Sequence, residues 1–331
     1  MKVLITGASG FLGKALIPKL TARGDIVCGL SRHPLEGDDK LGSLCGDVTL
    51  PHLGLDGDYS HIDCVYHLAA IHNLGHDKDG SIWKTNVMGT QNVIDFCKSS
   101  HIPQLYFCST AYTVGEGRNV YEKSKILCDK LVLESGIPKV VIFKPSIVMG
   151  TKEHPYSGHF SQFVSILIRT HKRAELIRRK LEGTLRLPVI EPVFRALGNP
   201  DAYLNLVTVD KVVEGMSIAR ESGIYWLTNP NPPTLSQITE WISDFIMVRF
   251  KIQSETFHRT PIEAAINRLT SAFSYYLYGD SFPSHIIEHP LITREFVHMT
   301  IINSLNIDKA THMNYTKKVG GGEHEHYPGL T

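Results

Sequence analysis

Tyr121 and Lys125 stand four residues apart in Tyr121-Glu122-Lys123-Ser124-Lys125, a spacing that puts both side chains on one face of a helix. A free phenol holds its proton too tightly for easy exchange near neutral pH, but a neighbouring ammonium stabilises the phenolate and brings exchange within reach. The pair therefore suits proton donation to an oxygen whose carbon receives a hydride, with Lys125 also holding ribose hydroxyls. Such pairs also decorate solvated helix faces. What gives this one weight is Cys108-Ser109-Thr110-Ala111 just upstream, at the end of an apolar run. Thr110 can donate to the same oxygen, so that two donors stabilise its developing charge; Ser109 is the alternative donor.

A second chemical stretch opens the chain. Thr6-Gly7-Ala8-Ser9-Gly10-Phe11-Leu12-Gly13 spaces three glycines three apart between a predicted strand and helix, where bare backbone can approach a pyrophosphate at the helix N-terminus. Gly7 suits the sharp turn, Gly10 the close approach and Gly13 the packing of helix on sheet. The second strand ends in Leu30-Ser31-Arg32. A carboxylate there would repel a 2′-phosphate, whereas Arg32 can pair with it in a fork and Ser31 can add a hydrogen bond, which favours NADP(H) over NAD. A solvated surface arginine is the other reading. Asp47, in Gly46-Asp47-Val48, either accepts from an adenine amino group or caps the backbone. In His67-Leu68-Ala69-Ala70 the small residues suit a backbone passing under a ribose, and His67 is either a packed core residue or a ligand contact.

These residues need a scaffold that brings strand ends to one edge. Short β-branched runs alternate with helical patterns up to about residue 150, the signature of βαβ units and a parallel sheet. The strands are expected at Lys2–Thr6, Asp25–Leu30, Leu41–Gly46, Cys64–Leu68, Gln104–Ser109 and Val140–Lys144, and the helices at Phe11–Arg23, Trp83–Ser99 and Tyr121–Ser135. Farther on, a helix is expected over Phe160–Leu181, a β return at Leu204–Val209, a helix capped by Asp210 and a last strand at Ile224–Thr228. The expected fold is α/β: a Rossmann-type doubly wound parallel sheet with a smaller, mainly helical, discontinuous substrate lobe. Residues 1–150 and about 201–229 form the NADP-binding domain, 151–200 and about 230–319 the lobe, and 320–331 a flexible tail.

Taken together, the motifs resemble the extended short-chain dehydrogenase/reductase superfamily: the Gly-x-x-Gly-x-x-Gly turn, an Asp after the third strand, a Ser/Thr, and Tyr-x-x-x-Lys. The resemblance covers about residues 1–230. It implies cofactor contacts for Gly7, Gly10, Gly13 and Asp47, catalytic roles for Thr110, Tyr121 and Lys125, and for Asn86 a helix position that orders the active site. Within the superfamily, Ser109-Thr110-Ala111-Tyr112, Lys144-Pro145-Ser146-Ile147-Val148 and His154-Pro155-Tyr156-Ser157-Gly158 look most like the fatty acyl-CoA and thioester reductase branch. Lys144 departs from that branch's usual Arg, and only ten residues separate Thr110 from Tyr121. The whole expected cofactor shell is Gly7, Ser9, Gly10, Phe11, Leu12, Gly13, Ser31, Arg32, Asp47, Val48, Leu68, Ala69, Ala70, Ser109, Tyr121, Lys125, Lys144, Pro145, Ser146 and Val148, with no metal.

The branch implies NADPH-dependent reduction of an acyl thioester to an aldehyde or alcohol, the acyl group riding on CoA or a carrier protein. Rivals are a ketone or secondary-alcohol oxidoreductase, a sugar-nucleotide epimerase, and a non-catalytic NADP-binding sensor. The basic stretch His171-Lys172-Arg173 with Arg178-Arg179-Lys180 either docks phosphates or an acidic carrier, or is a solvated helix face. Composition narrows the partners further. Thirty-four basic and 33 acidic side chains leave a net charge of +1, with no field to hold nucleic acid or an anionic membrane. The six cysteines show no CxxC pair and several fall within apolar runs, so that buried free thiols in a reducing compartment are the simplest account. With no secretory leader and no long apolar span, the expectation is a cytoplasmic monomer or homodimer.

Overall fold

The computed structural model describes residues 1–35, 41–75, 77–185 and 193–305; the expected tail at 320–331 lies outside them. The strands are β1 (Lys2–Thr6), β2 (Ile26–Ser31), β3 (Leu41–Cys45), β4 (Cys64–His67), β5 (Gln104–Cys108), β6 (Lys139–Pro145), β7 (Ile147–Met149), β8 (Phe194–Leu197), β9 (Leu206–Thr208), β10 (Gly223–Leu227) and β11 (Phe250–Gln253). Helices are α1 (Phe11–Ala22), α2 (Ser81–Trp83), α3 (Gly89–Ser99), α4 (Val120–Leu133), α5 (His159–Leu185), α6 (Val209–Ile218), α7 (Leu235–Ile246), α8 (Pro261–Leu269) and α9 (Arg294–Leu305).

Two compact units divide the chain, the first made of Met1–Met149, Asn205–Pro232 and Ser281–Leu291. Its sheet has seven strands in the order β10-β6-β5-β4-β1-β2-β3, every neighbouring pair parallel. The side-chain period of two then sorts the apolar residues onto two faces. Val3, Ile5, Tyr66, Tyr106, Val141 and Phe143 join residues of α1 and α6 in one core cluster, while Leu4, Val65, Leu105, Phe107 and Ile142 join residues of α3 and α4 in the other. Tyr66 and Tyr106 stack in adjacent strands with ring centroids 4.3 Å apart. In this parallel sheet the strands β1, β4 and β5 end along one edge, at Thr6, His67 and Cys108.

Several boundaries differ from the sequence expectation. The helix expected over Trp83–Ser99 is interrupted by a π turn at Lys84–Met88. Helix α6 starts at Val209 with Thr208 as its N-cap, so Asp210 sits in the first turn instead of capping it. Ser281–Leu291 belongs to the first unit, because this segment runs along β10: the His285 amide donates to the Trp226 carbonyl at 2.8 Å, and the Trp226 amide donates to His285 Nδ1 at 3.0 Å.

The second unit contains α5, α7, α8 and α9 and the short parallel pair β8–β11, which helical periodicity did not reveal. On α5, Arg178 pairs with Glu175 and Glu182 and Arg179 pairs with Glu175, all within one turn. Those two cations of the basic stretch are therefore engaged along their own helix. Among the described residues no helix is long and apolar enough to cross a membrane.

Candidate active site

The glycine turn is built against the exit of β4. Gly7 has φ +72°, and a Cβ placed there would come within 2.7 Å of the Ala69 nitrogen. At Gly13 a Cβ would come within 2.5 Å of the Gly7 carbonyl oxygen. Any side chain at either position would push the turn off β4 or α1 off the turn. Gly10 is the N-cap of α1 and makes no side-chain cap of its first turn, and backbone amides at a helix N-terminus favour an anion. Ser9 is exposed at the turn, and Phe11 and Leu12 are half-buried where α1 begins. This cradle fits a dinucleotide pyrophosphate.

Around the adenosine end the structure divides the expected residues. Ser31 is buried and its hydroxyl donates to the His33 carbonyl, so the extra hydrogen bond expected of it is used inside the chain. Arg32 is exposed just past β2 and has no ion-pair partner among the described residues. Asp47 Oδ1 accepts from the Thr49 amide at 2.8 Å, which is the capping reading of that residue. Val48 packs into the core, and its carbonyl accepts from Asn92 Nδ2 at 2.8 Å. Leu68, Ala69 and Ala70 are half-buried beside the turn, with the Ala69 amide donating to Thr6 Oγ1 at 3.4 Å.

His67 is a core residue. Its Nδ1 lies 2.7 Å from Thr6 Oγ1 and its Nε2 3.1 Å from Thr90 Oγ1. The Thr90 hydroxyl gives its own proton to the Asn86 carbonyl at 2.5 Å, so it can only accept from the ring. Nε2 is therefore the protonated nitrogen, and Nδ1 accepts from Thr6. Burial, with Lys125 as a nearby like charge, pushes the His67 pKa down to about 3. The unfolded chain protonates this residue near ~6.5, so the unfolded state binds the extra proton between those two values. Stability is complete above ~6.5 and declines as pH falls toward 3, by up to about 1.4 kcal/mol per pH unit. Urea midpoints measured at pH 7 and 5.5 should show this loss, and His67→Asn should flatten the slope; a slope that the substitution leaves intact would assign the loss to other groups.

Asn86 sits in the π turn, buried at 1 % exposure. Its Oδ1 accepts from the Ile71 amide at 2.8 Å, and its Nδ2 donates to the Ile71 carbonyl and Ser124 Oγ, each at 2.9 Å. The Asn86 carbonyl takes the Thr90 hydroxyl and the Cys128 thiol, acceptances that the interrupted helix ladder makes possible. Asn86 thus ties the β4 exit loop to the middle of α4.

Helix α4 carries Tyr121 and Lys125. Asn119 caps it, its Oδ1 accepting from the Glu122 amide at 2.9 Å. Lys125 is buried, with Nζ donating to the Cys108 carbonyl at 2.7 Å and lying 4.7 Å from the centroid of the Phe107 ring. The ammonium is therefore held at the C-terminal end of β5. Tyr121, half-buried, precedes it by one turn on the same face, and Ser124 donates to the Tyr121 carbonyl at 2.7 Å. Thr110 follows β5 directly, and its hydroxyl makes long contacts, accepting from the Tyr112 amide at 3.4 Å and donating to the Pro145 carbonyl at 3.5 Å. Beside it, the Ser109 hydroxyl is buried with no partner among the described residues. An orphaned buried hydroxyl at a strand end is what a site awaiting a ligand presents.

Three residues of the expected cofactor shell are engaged in the first unit's own structure. Lys144 pairs with Asp129 at 2.7 Å. Ser146 donates to Asn205 Oδ1 at 2.6 Å, within a buried knot that includes Asn229. Val148 packs against the core of the α1 and α6 face. The sequence reading also missed Thr6, Thr90 and Ser124 as partners in the site, because each is joined to it across long stretches of chain without any periodic signal.

A parallel sheet, a glycine turn at the first strand end and a Tyr–Lys helix face at the fifth define a Rossmann-type extended short-chain dehydrogenase/reductase. Residues 3–221 match the model described as the NAD dependent epimerase/dehydratase family, and the chain belongs to that family. The "2-alkyl-3-oxoalkanoate reductase" of Shewanella oneidensis is 28% identical over 268 residues, 72% of this chain and 64% of that protein. An "NRPS-like oxidoreductase fscA" of Fusarium equiseti is 26% identical over 256 residues, 64% of this chain and 25% of that protein. The chain thus spans less than two thirds of the length of either. Among solved structures, the terminal R domain from the myxalamid PKS-NRPS biosynthetic pathway aligns with a TM-score of 0.63 at 20% identity, over 92% of this chain and 90% of that one.

Proposed function

We propose that this protein is an NADPH-dependent carbonyl reductase whose substrate carbonyl is an acyl thioester, carried on CoA or a carrier protein. The observation that carries the reading is the buried Lys125 ammonium, fixed 2.7 Å from the Cys108 carbonyl on the same helix face as Tyr121, with Thr110 two residues beyond Cys108. A reduced nicotinamide, when bound, supplies the hydride. Tyr121 donates the proton to the carbonyl oxygen, Thr110 donates a hydrogen bond to that oxygen as charge develops, and Lys125 favours the phenolate left behind. Thr110 suits that role because the contacts of its hydroxyl are long. The thioester branch is supported by the Ser109–Tyr112 and Lys144–Val148 stretches and by the similarity to a protein named as an NRPS-like oxidoreductase.

A ketone is the second reading, favoured by the similarity to a protein named as a 2-alkyl-3-oxoalkanoate reductase. Following NADPH absorbance with an octanoyl thioester of N-acetylcysteamine and, separately, a 2-alkyl-3-oxo acid distinguishes the two. Thioester-dependent oxidation is expected. Turnover of the oxo acid alone would replace the thioester with the ketone.

A further inference from the structure

We propose that Lys144 and Asp129 are positioning residues, whose buried ion pair holds the short β5–α4 connection so that Thr110 faces Tyr121 and Lys125. This rests on the reading of those three as the reacting groups. Asp129 lies eight residues after Tyr121 and four after Lys125 on α4, hence on the same face. Lys144 Nζ, on β6, sits 2.7 Å from Asp129 Oδ2 and 2.6 Å from Thr113 Oγ1. The Thr113 hydroxyl in turn donates to the Thr110 carbonyl at 3.1 Å. One ammonium thus joins the helix of Tyr121, the neighbouring strand and the loop of Thr110.

A second limb reaches α4 from the other side. The Lys144 ammonium lies 5.2 Å from the centroid of the Trp226 ring, its neighbour in register on β10. Trp226 stacks on Phe282 at 6.1 Å, and Phe282 meets Tyr112 edge-on at 5.1 Å. The Arg118 guanidinium covers the Tyr112 ring at 5.2 Å and forks onto Glu122 of α4, with Nε and Nη2 each 3.2 Å from a carboxylate oxygen. Starting and ending on α4, these contacts grip the connection at Tyr112, Thr113 and Arg118. Stability alone gives little reason for the charges: a buried ion pair is often no better than an apolar pair of the same size, and Asp129 Oδ1 has no partner among the described residues. Alignment does give one.

The test uses the full chain carrying K144M/D129L, which removes both charges together, beside K144R, T113V and Y121F. It reads backbone amide exchange over residues 110–118, NADPH affinity, and kcat and KM with whichever of the two carbonyl probes above is reduced. In K144M/D129L the exchange of this segment should quicken at least tenfold and kcat should drop at least tenfold, with KM and the NADPH Kd within twofold; K144R should recover most of both losses. T113V should quicken exchange at Thr110 in the same direction, and it reads the network even if the double variant does not fold. Unchanged exchange in a folded K144M/D129L or in T113V overturns the proposal, as does faster exchange with kcat intact. A weakened NADPH Kd also overturns it, by making Lys144 a cofactor residue. If Y121F retains full turnover, the reading of the reacting groups fails and this proposal fails with it. If Y121F is inactive while K144M/D129L is not, only the positioning role is lost.

Discussion

Tyr121→Phe should lower kcat by about 10³-fold, in the middle of the range for a lost general acid, while NADPH affinity stays within about twofold. The hydroxyl is the only atom removed. The fold around it is set elsewhere: Asn119 caps α4, Arg118 and Glu122 pair across the first turn, and Ser124 holds the Tyr121 carbonyl. The loss should therefore appear in the chemical step. Lys125→Met is the less clean probe, because it also strips the Cys108 carbonyl of its donor inside the core. The measurement is single-turnover NADPH oxidation beside a fluorescence titration of the cofactor. A Tyr121→Phe variant with wild-type single-turnover rates would remove this phenol from the mechanism, and with it the assignment of α4 as the acid–base helix.

The parts legible in the sequence were those written in local periodicity. Strands β1, β2, β4, β5 and β6 announce themselves as apolar runs because both sheet faces are covered, and glycines three apart mark the turn after β1. Tyr121 and Lys125 could be placed on one face from spacing alone. The π turn at Lys84–Met88 could not, since nothing in Lys84-Thr85-Asn86-Val87-Met88 breaks a helical pattern; it exists because Asn86 is bonded to Ile71 and Ser124, residues distant in sequence. The same holds for Lys144. The resemblance of Lys144–Val148 to the reductase branch implied a ligand contact, whereas its partner Asp129 is found only once β6 and α4 are packed together. Strands β8 and β11, four residues each, are too short for alternation to stand out from the helices around them.

Arg32→Glu should raise the NADPH Kd by about 100-fold or more, since the lost charge-assisted fork is worth about 1.5–3 kcal/mol and the new carboxylate repels the 2′-phosphate as well. NADH binding should hold or improve, because a carboxylate at this position can accept from the ribose hydroxyls. On this reading the preference rests on one side chain. Ser31, the other donor expected there, has turned its hydroxyl to the His33 carbonyl. The Arg32 backbone is placed where β2 ends beside β3, with the Cys45 thiol 4.0 Å from its carbonyl oxygen, while its guanidinium stands exposed with no ion pair among the described residues. Among the described residues this cation has no existing pair to break before it meets a phosphate. Paired titrations of wild type and variant with NADPH and NADH decide the matter. A wild-type protein that binds NADH as tightly as NADPH would align its cofactor with the NAD dependent description of its family, and Arg32 would then be a solvated surface residue whose substitution changes neither titration.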